Sequence, residues 1–178
     1  MPFILRTIRR GRWLANKPSE THEERFARAL NDLPLSKDNK LSVWHVEYDY
    51  SNLERLVTAL GANRDHLDNI DYILLDDQWL LELDIQCQQS EGNTPDQEVN
   101  RRWHFDLVEI SANKHEDLTK VLLEQGHINR ILPKQILELI SQAIESGNID
   151  VERLKPGIRS KIVARRLNLP GSSDTEEN

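Results

Sequence analysis

An α+β fold is predicted: a small, mostly antiparallel sheet covered by two helices and followed by a helical C-terminal unit. Three observations predict it. Up to residue 110, apolar and polar residues alternate in short runs, the period of a strand. Two stretches with helix-capping signals interrupt those runs. From Asn113 onward the apolar period lengthens to about 3.6 residues, which sets a sheet domain at 1–111, a helical unit packed on it at 112–168, and a disordered tail at 169–178.

The elements follow in order. Phe3 to Leu14 reads as an opening strand interrupted by Gly11. Thr21 and Glu24 fit a capping box, so a helix over 21–33 follows, with Phe26, Leu30 and Leu33 on one stripe before Pro34. Leu41 to Tyr48 predicts a strand with Trp44, Val46 and Tyr48 on one face. Ser51 and Glu54 open a helix over 51–60, and Gly61 is expected to close it in the left-handed conformation. Asp71 to Leu75, a turn at 76–78, and Trp79 to Cys87 make two further strands. Residues 88–101 read as a long loop and 102–110 as the last strand. Asn113 and Glu116 then cap a helix ending at Gly126, and Pro133 opens another that ends at Gly147. Leu123–Asn129 resembles Ile144–Asp150 in sequence, so one helix-stop device, a left-handed glycine, is expected twice within a helical hairpin or three-helix unit. Ile158 to Leu167 is a basic amphipathic helix. The four tryptophans, 13, 44, 79 and 103, all fall in predicted strands and point to one shared core.

A chain of 178 residues suits one domain or two small ones. No apolar run approaches the roughly 18 residues of a membrane span. The start, Met1 to Arg6, turns polar before a signal-peptide core of about 7 residues is complete. One cysteine, Cys87, allows no internal disulfide; it is expected as an inert thiol on the buried face of its strand, in a reducing, cytoplasmic compartment. The glycines form none of the dinucleotide, P-loop or hydrolase-elbow signatures, His22-Glu23 and His115-Glu116 each lack a second histidine four residues on from the first, and no cofactor is expected.

The net charge of −7 hides its distribution. Residues 1–17 carry five bases and no acid, and residues 153–173 carry six bases and no acid. The body, 18–152, is strongly acidic, with Asp65, Asp68, Asp71, Asp76 and Asp77 close together. Either the ends pack back on that body, or they expose a basic face made of Arg9, Arg10, Arg12, Arg159, Lys161, Arg165 and Arg166.

One coincidence carries chemistry. Trp44-His45-Val46-Glu47 and Trp103-His104-Phe105-Asp106 repeat the same order of residue types in two predicted strands. If the strands are neighbours, His45, Glu47, His104 and Asp106 could converge on a metal ion or a proton-transfer site. The plain alternative is a polar sheet face in water. The Asp38-Asn39-Lys40 triplet has the acid-x-Lys order of some metal-dependent nucleases. The leading expectation is a non-enzymatic interaction protein, an adaptor, regulator or subunit of a cytoplasmic assembly, whose partner is another protein and which uses segregated basic and acidic surfaces. Nucleic-acid binding through the basic ends is the alternative, and a metal-dependent hydrolase or nuclease centred on His45 and His104 is the third.

Overall fold

The computed structural model describes residues 2–15 and 17–167. The chain enters the middle of a sheet at once: β1 (Phe3–Thr7) pairs antiparallel with β2 (Leu41–Val46) on one side and β3 (Ile70–Asp76) on the other. Further out come β4 (Gln86–Gln89), β5 (His104–Val108) and β6 (His127–Ile131), in the order β4-β5-β2-β1-β3-β6 with every neighbouring pair antiparallel. The α+β class is therefore observed. No helix among the described residues is long and apolar enough to cross a membrane.

Helices cover the sheet on both faces. Successive strand side chains point to opposite sides, and Ile4 and Leu5 are both buried. Leu5, Trp44, Val46, Tyr72 and Leu74 pack under α3 (Leu53–Ala62), α7 (Pro133–Glu145) and α8 (Pro156–Leu167). Ile4, Val43, Ile73, Leu75 and Leu107 pack under α1 (Arg10–Trp13), α2 (His22–Leu30), α4 (Gln78–Glu82) and α6 (Ala112–Gln125). The tryptophans divide accordingly, 44 and 103 on the first side and 13 and 79 on the second, so two clusters replace the single core expected.

The predicted helix at 21–33 forms as α2, with both halves of the Thr21–Glu24 capping box made. Several other elements differ, each for a local reason. The opening strand stops at Thr7, because the Asp32 carboxylate accepts from the Arg9 N–H and the Trp13 indole N–H and draws residues 10–13 into a helical turn. Gly61 lies inside α3 rather than closing it; a Cβ there would stand 2.6 Å from Ile136 Cγ2, so glycine lets α3 and α7 approach closely. Residues 79–82 are helical, and α4 ends in a Schellman turn: Asp84 takes φ +50°, with Asp84 N–H bonded to Leu81 O and Ile85 N–H to Leu80 O. The expected loop at 88–101 holds α5 (Gln97–Arg102), capped by Asp96. Residues 112–167 supply three α-helices, yet β6 stands between α6 and α7 and pairs with β3, so these two helices form no hairpin. The two glycine stops also differ: Gly147 is left-handed at φ +76°, whereas Gly126, at φ −73°, leads the chain extended into β6. The predicted tail at 169–178 lies outside the described residues.

Candidate functional site

The two Trp-His strands are neighbours, but their register separates the histidines. Trp44 lies directly opposite His104, and Ser42 opposite Asp106. Residues paired in this way share a face, so His104 and Asp106 lie on the Trp44 side and His45 on the other. The His104 ring meets Trp44 edge-on at 4.6 Å and its Nδ1 lies 2.8 Å from Ser90 Oγ. Asp106 accepts from the Ser42 hydroxyl at 3.0 Å. His45 lies instead beside Phe105, with ring centroids 5.7 Å apart. The register does not bring His45 and Glu47 together with His104 and Asp106, the convergence that neighbouring strands could have allowed, and among the described residues no group of three or more His, Cys, Asp or Glu side chains is arranged to hold a metal ion. The Asp38-Asn39-Lys40 triplet forms a tight turn, with Asn39 at φ +54° and Ser36 bonded to Lys40 main chain.

Burial depresses the His104 imidazole pKa below its ordinary value, against the opposing pull of Asp106. The folded state thus binds fewer protons here than the unfolded state does. Stability from this group is complete above the unfolded value of about 6.5 and declines as pH falls through it. We expect the urea midpoint of the wild type to fall more between pH 7.5 and pH 5.5 than that of His104→Gln; equal slopes would show that His104 is not the source.

Cys87 is exposed on β4, not buried as expected, because β4 is an edge strand of the sheet. Partial desolvation of the sulfur, then the charges of Asp77 and Asp106, push its thiol up to about 11. That disfavours the thiolate at neutral pH.

The basic ends partly turn inward. Arg9 faces Asp32 at 3.7 Å, Arg159 pairs with Glu152 at 3.0 Å, and Lys155 with Asp65 at 3.1 Å. Arg6, Arg9, Arg10 and Arg64 line a cleft of about 630 Å³, but Asp32, Asp68 and Asp71 line it too. No ion pair among the described residues engages Arg12, Lys161 or Arg165, and the Arg166 side chain lies outside what is described.

A further cluster of charged and aromatic side chains lies elsewhere, at the turn between β2 and α3. Buried Asn52 pins that turn: its Oδ1 accepts from Glu47 N–H at 2.9 Å and its Nδ2 donates to His45 O at 3.0 Å. With its side chain so employed, Asn52 makes no cap bond to α3, and the capping pair expected from Ser51 is not used. Asp49 accepts from the Ser51 N–H, Tyr50 takes φ +60°, and the Tyr50 ring stacks on Phe3 at 5.0 Å. Tyr48 is left 71% exposed. Across a cleft of about 590 Å³, the Arg102 guanidinium lies 5.2 Å over the Trp103 ring and Arg55 lies 6.0 Å from it. Glu98 bridges both arginines, at 2.7 Å to Arg55 and 2.8 Å to Arg102, while Asp96 grips Arg55 through two bonds. Sequence reasoning placed Arg102 and Trp103 at the start of a strand; the available signal was Asp96 with Glu98 and Val99 following, an N-cap pattern.

These features define the chain as an α+β fold with an aromatic- and arginine-lined surface. No protein-family model matches it, and comparison with curated proteins and with solved structures likewise gives no match.

Proposed function

We propose that this chain is an interaction protein, a subunit, adaptor or regulator that docks another protein against the turn at 47–52 and the Arg102–Trp103 pair. The observation that carries the reading is an exposed tyrosine sharing one cleft with an arginine whose guanidinium already sits 5.2 Å over a tryptophan ring. Tyr, Trp and Arg are the residues that dominate interface energetics, and here Arg102 is already held by Glu98 and Trp103 is already buried before a partner arrives, which lowers the ordering cost of binding. Glu47 and Asp49 on the opposite wall supply acceptors for a partner's donors. Nucleic-acid binding through the basic ends has less support, since Arg9 and Arg159 already face carboxylates and acids share the arginine cleft.

The test is site-specific photo-crosslinking in the native host, with the crosslinker at position 48 and, as control, at exposed Val163. Position 48 should yield discrete protein adducts that weaken at least tenfold when Arg102→Ala is added, a loss of about 1.4 kcal/mol or more. Identical adducts from both positions, or adducts indifferent to Arg102→Ala, would count against the reading. Adducts only to nucleic acid would favour the alternative.

A further inference from the structure

The sheet has two open edges, and they are not alike. β6 carries Arg130, committed to Asp71 at 2.6 and 2.9 Å, and Pro133 follows it two residues on. Charge and proline of this kind blunt an edge. β4 has neither: its residues are Gln86, Cys87, Gln88 and Gln89, and all four are exposed. Ser90 N–H donates to His104 O across the β4–β5 ladder, so with antiparallel alternation Gln88 and Gln86 also face β5. The main-chain groups of Cys87 and Gln89 then point outward.

Beside this edge lies a cleft of about 500 Å³ with an apolar wall of Ile4, Leu80 and Ile85, and with Leu81 81% exposed at its rim. Asp77 and Asp84 line the same cleft, and the Asp84 side chain is 94% exposed despite its bond to Lys114. Asp77 and Asp106 both act on the Cys87 thiol, so carboxylate charge reaches the edge at Cys87. In a twofold pairing of β4 with a second copy, two sets of these carboxylates would be gathered on one joined sheet with no added bases to offset them, which like-charge repulsion disfavours.

We propose that β4 is a docking edge for an extended, basic segment of a partner protein, which adds as a seventh strand, bonds to the outward main chain of Cys87 and Gln89, and sets Lys or Arg side chains against Asp77 and Asp84. This goes beyond the reading above: the cleft shares no lining residue with the Tyr48–Arg102 surface. Main-chain bonds would supply affinity, and the acidic, apolar-floored cleft would select the side chains.

The experiment uses the full chain and a fluorescent, end-capped octapeptide of alternating Lys and Val, read by anisotropy and by amide exchange. The lysine peptide should bind and slow exchange at Cys87 and Gln89. A Glu–Val peptide, and a lysine peptide N-methylated at alternate residues, should each bind at least tenfold more weakly. Cys87→Pro removes only an outward donor, which a sheet edge tolerates, and should weaken binding by a similar factor. The N-methylated peptide gives the same answer should that variant not fold. Tyr48→Ala should bind as the wild type does. Failure of the lysine peptide to bind, equal binding of the methylated peptide, protection at β6 instead, or loss in Tyr48→Ala would overturn the assignment. A chain dimer joined through Cys87 would overturn it in favour of a second copy.

Discussion

Asp96→Ala should destabilise the protein by about 3 kcal/mol, the low end of the cost of stripping one partner from a buried ion pair. Asp96 is 2% exposed. Its Oδ1 accepts from the N–H groups of Glu98 and Val99, capping α5, and its two oxygens take Arg55 Nε at 2.7 Å and Nη2 at 3.1 Å. Alanine removes the cap, worth about 1 kcal/mol by itself, and leaves Arg55, whose side chain is only 29% exposed, without its main carboxylate. Arg55 retains Glu98, which keeps the cost from rising further. Asp96→Asn keeps an acceptor for the cap and loses the charge, so it should fall between alanine and wild type. Denaturant midpoints at a fixed slope measure both. Because α5 carries Arg102 and leads into Trp103, crosslinking from position 48 should also weaken in Asp96→Ala at temperatures where the variant is still folded. An alanine variant within 1 kcal/mol of wild type would show that Asp96 is not the keystone of that surface.

The sequence made local devices legible and long-range ones not. The Thr21–Glu24 box was readable because both partners lie within four residues and their geometry follows from any helix start. The Trp-His pair was readable as two strands that could be neighbours. Its register was not, because the ladder joins residues sixty apart and a one-residue slip exchanges the faces. Two motifs of the same residue order suggest equivalent histidines; antiparallel pairing of Trp44 with His104 puts them on opposite faces. Trp79 to Cys87 fits strand alternation, yet Trp79, Leu80 and Leu83 also fit one face of a short helix, and five helical residues are too few for periodicity to decide. The Asp84 turn decided it, since aspartate tolerates the left-handed conformation. β6 was hidden for a related reason: five residues between two helices become a strand only because β3 is there to pair with them and Asp71 is there to bind Arg130.

The charge pattern shows how linear separation can vanish in space. Two basic ends flank an acidic body in the sequence, but Arg9 faces Asp32 and Lys155 reaches Asp65. Such exposed pairs contribute little stability each. Their consequence is positional: they occupy part of the basic face on which nucleic-acid binding would depend, while the uncharged β4 edge sits beside Asp77 and Asp84, of which, among the described residues, only Asp84 is ion-paired with a base.

Trp13→Ala should cost about 3–5 kcal/mol, the range for deleting a buried aromatic side chain. Trp13 is 1% exposed and packs in the cluster under α2, and its indole donates to Asp32 at 2.8 Å. Trp13→Phe keeps most of the volume and loses the bond, leaving Asp32 with the Arg9 main chain and the more distant Arg9 guanidinium. Its cost should be about 1–2 kcal/mol, and the difference between the variants separates packing from hydrogen bonding. The result bears on function as well. If Trp13 closes this layer, residues 9–12 are tethered to Asp32 and cannot swing out to follow a phosphate backbone. A Trp13→Ala variant as stable as wild type would release that constraint and return Arg9, Arg10 and Arg12 to the nucleic-acid reading, whereas a large loss ties the N-terminal arginines to the fold.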